Sequence, residues 1–269
     1  MTAQALPAAR PVASKPAWRG WIESPLFLKV AAGTIMLLLW EGVVRALAPA
    51  YVARPSGIAR VFTAVISDQQ FLAAAGATLS AVITGLLVSL VLGTMVGFAM
   101  GRINMMERGL RYYVNSLFAT PMIAILPLVT LWFGYSADAR FAIVVFAAFF
   151  SVTINACDGA RSVPLEYLEV AHSFRARPFH TLFDIIFPSS LPYLLAGIRL
   201  AAGRALIGAV VAEFFVSIPG LGYFILYNSR TFKHNEAFVA VIALVAVGVS
   251  FEALVNWLTR RYLPWARRS

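Results

Sequence analysis

The sequence predicts an all-α membrane protein with six transmembrane helices. Of its 269 residues, 60% are hydrophobic and only 13% are charged, which leaves too few polar residues to cover a soluble domain of this size. The runs LLVSLVLGTMVGFAM and FVAVIALVAVGV are apolar on every face, whereas the strands of a membrane barrel alternate apolar and polar residues. A membrane-spanning helix needs about 20 residues, and stretches of suitable length and composition lie near 27–48, 71–101, 111–134, 140–160, 186–216 and 236–262.

The first 25 residues differ from the rest of the chain. They are rich in proline and alanine and have no apolar period, so we predict a flexible tail over 1–25 and a single membrane domain over 26–265. A cleavable signal peptide is the alternative, because a basic start precedes LFLKVAAGTIMLLLW and ALAPA resembles a cleavage site. That apolar run is long for a signal peptide and begins late, which favours an uncleaved first span.

Basic residues are distributed unevenly about the predicted spans. The formal net charge of +10 raises nucleic acid as a partner, but the position of the charges argues against it. If the N-terminus is cytoplasmic, most of the 22 lysines and arginines fall on inner segments, which is the positive-inside pattern. This predicts cytoplasmic termini and a cytoplasmic 158–184 loop, with 49–70 and 217–235 outside. The basic residues at outer ends are Arg45, Arg54, Arg60, Arg140, Arg230 and Lys233.

Small residues and prolines shape two of the spans. Gly93, Gly97 and Gly101 recur every four residues in the second span, a spacing that lets another helix pack closely. In the third span, Pro121 and Pro127 each remove a helical hydrogen bond and obstruct the preceding turn. We therefore predict a kinked or broken third span. Broken helices within membranes occur where they line a cavity or are buried in protein, so both prolines are candidates for lining a pathway.

Ionisable residues inside the spans are costly in a bilayer and mark candidate functional positions. Glu41 and Arg45 are four residues apart on one helical face and should pair near the outer surface. Arg199 and Arg204 lie roughly 140° apart around their helix and should not share one face. One could line a pathway while the other pairs with Glu213 or snorkels inward, and the sequence leaves that assignment open. Glu213 should meet Arg199, Arg204 or a residue of a second subunit.

The sequence contains no recognisable catalytic or metal-binding pattern. His172, His180 and His234 lack the spacing of metal ligands, and neither H-E-x-x-H, G-x-S-x-G nor a glycine-rich phosphate loop occurs. Cys157 is the only cysteine, so an internal disulfide is impossible. We therefore predict that this chain is not an enzyme and itself binds no metal, ATP or other cofactor.

The passage EVAHSFRARPFHTLFDIIFPSSLP, residues 169–192, is unusually polar for this chain. A short helix is predicted after Pro164, with Leu165, Leu168 and Ala171 on one face. RARP should end it, and Pro178 suits the first turn of a second helix that runs into the fifth span. A protruding hairpin over about 161–184 indicates a docking site for a cytoplasmic partner. The alternative is a helix lying among the lipid headgroups.

This passage resembles the EAA loop of binding-protein-dependent ABC importer permeases, whose pattern is Glu-Ala-Ala, three residues, Gly, nine residues, Ile, one residue, Leu-Pro. Four positions match and three differ: Glu169, Ala171, Ile185 and Pro188 are kept, while Val170, Arg175 and Phe187 stand for Ala, Gly and Leu. The resemblance extends over residues 35–262. The segments PYLLAGIRLAAGRALIGAVVAEFF and PGLGYFI are similar to nitrate, sulfonate and taurine permeases.

The resemblance implies a type I ABC importer permease of the bacterial inner membrane, with a cytoplasmic coupling helix. It also implies a second permease subunit, expected to be another copy of this chain, and an extracytoplasmic substrate-binding protein. A cytoplasmic ABC ATPase dimer would bind ATP and magnesium. The residues expected to contact the ATPase are Glu169, Ala171, His172, Ser173, Phe174, Arg175 and Ala176. Those expected along the translocation path are Pro121, Pro127, Arg199, Arg204 and Glu213.

The substrate that the resemblance implies is a small oxyanion, such as nitrate or an organosulfonate like taurine. A thiamine-pyrimidine precursor is the alternative, because permeases for such nutrients share the G-I-R-L and V-A-E signatures. A stand-alone channel or secondary carrier is the alternative from another class of protein. The lack of an evident inverted repeat and the single coupling-type hairpin argue against that class.

Overall fold

The computed structural model describes residues 24–49 and 51–263, and its regular structure there is entirely helical. Residues 1–23, nearly all of the predicted tail, lie outside the described residues. The described helices are α1 (Pro25–Leu47), α2 (Pro55–Ile66), α3 (Gln69–Arg102), α4 (Asn104–Ala119), α5 (Met122–Phe133), α6 (Ala137–Arg161), α7 (Leu165–Ser173), α8 (Pro178–Val216), α9 (Leu221–Arg230) and α10 (His234–Tyr262). Helix α8 contains one π-helical segment, Thr181–Ile186.

The described helices provide five candidate spans, or six if α4 and α5 together count as one span. Helices α1, α3, α6, α8 and α10 are each long and apolar enough to cross a bilayer, and α4 and α5 meet the same criterion as a pair that is bent by 102°. The bend falls at Thr120 and Pro121, between the two helices, which confirms a broken third span. Proline cannot donate the hydrogen bond that would continue α4. Pro127 lies inside α5, and that helix continues past it.

The centre of the bundle consists of α3, α6 and α8, which pack through small residues. A methyl group added to Gly97 of α3 would lie 2.5 Å from the Thr153 carbonyl oxygen of α6. A methyl group added to Gly197 of α8 would lie 2.8 Å from Asn155 Cβ. Helices α3 and α8 therefore both approach α6 closely, and the packing role predicted for the α3 glycines is confirmed. The core between the helices is filled by Val82, Leu86, Val144, Ala148, Val152, Ala201, Ala202, Ala205 and Ala209.

The short helices α2 and α9 lie in the two segments predicted to be outside, and neither helix was predicted. The backbone N–H of Arg54, just before α2, donates to Asn235 Oδ1 of α10 at 3.2 Å. The predicted pair on α1 is confirmed, with Arg45 Nε 2.5 Å from Glu41 Oε1. Glu41 also accepts a 2.9 Å hydrogen bond from the backbone N–H of Ser56, which ties α1 to α2.

Candidate functional site

The hairpin between α6 and the fifth span forms as predicted. Helix α7 begins after Pro164, and α8 begins at Pro178. Ala171 of α7 is buried, and Leu168 of α7 packs against a small cluster at the end of α6 that includes Ile186 of α8, which holds the hairpin against the bundle. Leu165 was predicted on the same inward face, but it is 73% exposed. It lies in the first turn of α7, ahead of the part that meets the bundle.

The turn of the hairpin is a Schellman motif. The backbone N–H of Arg175 donates to the His172 carbonyl oxygen, and that of Ala176 donates to the Ala171 carbonyl oxygen, both at 2.9 Å. Arg175 has φ +50°, in the left-handed region that favours glycine. The glycine of the EAA pattern therefore corresponds to the left-handed position that ends α7. Arginine keeps the bend here at a cost in backbone energy.

The outward side of the hairpin is apolar. Phe174, at the tip, is 83% exposed. Of the residues expected to contact an ATPase, all except Ala171 are exposed. The large apolar side chains on this side, called the hairpin patch below, are Leu165, Tyr167, Val170, Phe174 and Phe179. Exposed large apolar side chains concentrated in one short segment indicate an interface with a protein or a membrane.

Replacing Arg175 with glycine should tighten the hairpin and preserve its function. A non-glycine residue in the left-handed region costs about 1–2 kcal/mol, and glycine relieves most of that cost. We expect slower amide hydrogen exchange at Ala176 and unchanged association with the ATPase. The matched control is Arg177→Gly, because Arg177 has φ −66° and gains nothing from glycine. Faster exchange in Arg175→Gly than in the parent would contradict the strain argument.

Glu213 lies in a buried polar cluster near the outer ends of α3, α6 and α8. Its side chain has no exposed surface. Oε1 accepts hydrogen bonds from Thr78 Oγ1 at 2.8 Å and from Arg140 Nη1 at 3.0 Å. Oε2 accepts one from the Gly222 backbone N–H at 2.8 Å. The carboxylate therefore connects three spans and the turn that leads into α9.

The predicted partner of Glu213 was wrong. Arg199, Arg204 or a residue of a second subunit was expected, but the partner is Arg140, which lies 73 residues away in sequence and was assigned to an outer end. Arg140 is itself buried, and it also donates to the Pro219 carbonyl oxygen at 2.9 Å. The turn needs glycine at 220, since a methyl group there would lie 2.1 Å from Glu213 Cδ.

The intramembrane arginines line an open groove between α8 and α10. The groove has a volume of about 610 Å³, and Glu252 of α10 lies in the same lining. Arg199 Nη2 donates to Asn256 Oδ1 at 2.5 Å. Within the described residues, Glu252 has no ion-pair partner. Arg199 and Arg204 were predicted to face apart, yet the groove is wide enough to include both.

The groove lies near the middle of the membrane. Helix α8 contacts α6 through Gly197 and Gly208, whose closest side-chain neighbours on α6 are Asn155 and Ala147. Those two positions flank the centre of α6, and the groove arginines lie between the two glycines. Charged side chains at this depth are stable when they face protein or a water-filled cavity rather than lipid. The groove arginines are therefore expected to face protein or water rather than lipid.

The histidines lie outside the Glu213 cluster and the groove. His172 and His180 are on the hairpin, where His180 Nδ1 is 3.3 Å from Asp184 Oδ2. His234 lies at the outer end of α10 beside Tyr51 and Phe232. Across the part of the chain that the structure describes, no group of three or more His, Cys, Asp or Glu residues is arranged to hold a metal ion.

Known proteins match this chain in sequence and in fold. The family described as binding-protein-dependent transport system inner membrane component matches residues 89–268. The formylaminopyrimidine transport permease of Halalkalibacterium halodurans is 31% identical, with 87% of this chain and 94% of that protein covered. A putative aliphatic sulfonates transport permease of Bacillus subtilis is 30% identical, with 91% and 88% covered. An inward-facing structure of the MetNI methionine ABC transporter matches with a TM-score of 0.58 at 16% identity, covering 71% of this chain and 96% of that chain.

The six-span bundle and its exposed hairpin define a transport permease subunit rather than an enzyme. The chain belongs to the family of binding-protein-dependent transport system inner membrane components. Relatives named for aliphatic sulfonate, taurine and nitrate transport confirm the predicted type of permease. The structural match confirms the type I ABC importer fold.

Proposed function

We propose that the hairpin patch docks a cytoplasmic ABC ATPase dimer and that this contact drives import through the permease. The exposure of Phe174 at the hairpin tip is the observation that supports this best. An importer permease with no nucleotide-binding loop needs an ATPase partner. In this proposal Phe174 supplies the apolar contact, and Glu169, His172, Ser173, Arg175 and Ala176 surround it. ATP and magnesium are held by the ATPase, and this chain binds no cofactor.

The hairpin is continuous with the membrane domain through α8. That helix begins at Pro178 in the hairpin and runs to Val216 near the outer side. Movement of the ATPase subunits would therefore displace α8 along its length, including the wall of the groove. ATP-driven closure of the ATPase would turn the pathway from inward-facing to outward-facing, and hydrolysis would reset it.

We place the remaining partners at two surfaces of the chain, the groove between α8 and α10 and the side that carries α2 and α9. A second permease subunit, in the simplest case another copy of this chain, would cover the groove and enclose a pathway beside it. Arg199, Arg204 and the break at Pro121 would border that pathway, with Pro127 farther along α5. Glu213 is enclosed and would support the outer end of the pathway. An extracytoplasmic binding protein would deliver substrate on the side of α2 and α9.

The substrate we propose is a small oxyanion such as nitrate, or an organosulfonate such as taurine. The groove carries two guanidinium groups and one carboxylate, and this excess of positive charge favours an anion. The second candidate is a formylated aminopyrimidine, a precursor of thiamine. The 31% identity to a permease named for that transport supports it.

Uptake in proteoliposomes containing the permease, its ATPase and its binding protein tests these proposals. The panel is nitrate, taurine, an alkylsulfonate and formylaminopyrimidine. With an oxyanion substrate, Arg199→Gln should raise the half-saturating concentration. If formylaminopyrimidine alone is taken up and Arg199→Gln leaves its half-saturation unchanged, the anion proposal is wrong. Uptake without the ATPase would instead indicate a channel or secondary carrier.

We also propose that the chain lies in a bacterial inner membrane with both termini cytoplasmic. Cys157→Ala provides a cysteine-free background. His172→Cys on the hairpin should resist a membrane-impermeant maleimide in intact cells and react after permeabilisation. Tyr227→Cys on α9, also exposed, should react in intact cells. Labelling of His172→Cys from outside would reverse the proposed orientation.

A further inference from the structure

We infer that Arg204 fastens the broken third span to α8, so that the break moves with the helix that begins at the hairpin. This inference rests on the proposed role of α8 in transmitting movement from the ATPase. It makes Arg204 a positioning residue of the transport cycle in addition to part of the groove wall.

Two contacts join Arg204 to the last turn of α4. Its Nη1 donates to the Phe118 carbonyl oxygen at 3.3 Å. Its guanidinium carbon lies 3.7 Å from the centroid of the Phe118 ring, in cation–π contact. One turn farther along α8, a methyl group on Gly208 would lie 3.4 Å from Met122 Sδ. Both sides of the break therefore rest on α8.

The break requires these contacts because of its depth. The last carbonyl groups of a helix lack helical partners, and lipid offers none. Thr120 satisfies two of them, through its hydroxyl to the Ser116 oxygen at 2.8 Å and its N–H to the Leu117 oxygen at 3.2 Å. Arg204 satisfies the third, on Phe118. A cation at this position also complements the negative end of the α4 dipole.

The consequence is a direct path from the hairpin to the break. Arg204 and Pro178 lie on one continuous helix, whereas α4 begins at Asn104 and reaches the break without passing through the hairpin. A shift of α8 would carry the break with it as long as Arg204 holds Phe118. Without Arg204, α8 could move while the break stays behind, and ATP hydrolysis would proceed with less transport.

The test compares Arg204→Gln and Arg204→Lys with the parent protein. Cross-linking of Met122→Cys to Val211→Cys by a short bifunctional methanethiosulfonate, in a Cys157→Ala background, reports whether the break rests on α8, because both side chains pack against the same apolar cluster. Substrate transported per ATP hydrolysed reports coupling in proteoliposomes. For the cross-link, which needs no substrate, Arg199→Gln is the matched control, because Arg199 lines the same groove and contacts Asn256 rather than the break.

We expect Arg204→Gln to reduce the cross-linking rate and the transport per ATP by about fivefold or more. Arg204→Lys, which keeps the charge, should restore part of both. Arg199→Gln should leave the cross-link intact. Absence of the cross-link in the parent, or an Arg204→Gln protein with parental cross-linking and coupling, would overturn the inference. Failure of uptake across the whole panel would count against the proposed substrates, whereas the cross-link needs no substrate.

Discussion

Phe174→Ala should release the ATPase from the permease while leaving the six spans inserted. Burying a phenylalanine side chain stabilises an interface by roughly 1.5–3 kcal/mol, which corresponds to about a 10- to 150-fold loss of affinity on its removal. An exposed ion pair contributes only about 0–1 kcal/mol, so Glu169→Ala should have a smaller effect. Phe174 has little contact with its own chain, so its removal should not unfold the hairpin.

The measurement is co-purification of the ATPase with each variant, together with substrate uptake in cells. Leu39→Ala is the matched control, since Leu39 is an exposed apolar residue on α1, far from the hairpin in sequence. It should retain the ATPase fully. Parental ATPase retention and uptake in Phe174→Ala would mean that the hairpin is a membrane-surface element and that the docking proposal is wrong.

Glu213→Gln should destabilise the permease strongly. The substitution leaves the buried Arg140 guanidinium without a counter-charge, and breaking a buried ion pair on one side typically costs about 3–5 kcal/mol. Glu213 joins three spans to the start of α9, so its substitution should loosen the packing of all of these elements at once. We expect the midpoint of thermal unfolding in detergent to fall by roughly 5–15 °C and uptake to fall with it.

A double-mutant cycle separates the ion pair from other effects at this position. Arg140→Met leaves Glu213 charged and unpaired, whereas Glu213→Gln with Arg140→Met leaves no buried charge in the pair. The double variant should therefore unfold at a higher temperature than Arg140→Met alone. Asp138→Asn, at an exposed position on the same helix, should change the midpoint little. Additive effects of the two substitutions would show that the charges do not stabilise each other.

Much of the fold could be predicted because the bilayer imposes it. A span must be long and apolar, and both properties can be read directly from the sequence, as in residues 236–262. The short helices α2 and α9 have neither property, and their positions depend on contacts with distant residues such as Asn235. The break in the third span was predicted, but two prolines were equally suitable. Only Pro121 falls between helices, because Pro127 lies within the continuous helix α5.

The candidate site was predictable where its residues are close together in the sequence. The hairpin is local in sequence, so its helix, turn and following proline could be read in order. The Glu213–Arg140 pair joins residues 73 positions apart, and no local pattern selects Arg140 over the two arginines nearer in sequence. Arg204 was identified as an unusual intramembrane charge. Its contact with Phe118 depends on how α4 ends against α8, which the sequence does not specify.

The close packing of α3, α6 and α8 limits how this subunit can change shape. A methyl group on Gly97 or Gly197 would overlap α6, so these helices cannot tilt or slide past one another without losing contacts that lipid does not replace. Each protomer should therefore turn as a nearly rigid block. Alternating access would then arise from rotation of whole protomers about their shared boundary. Distances between probes at exposed positions of α3 and α6, such as Met95 and Phe141, should stay constant through the ATP cycle.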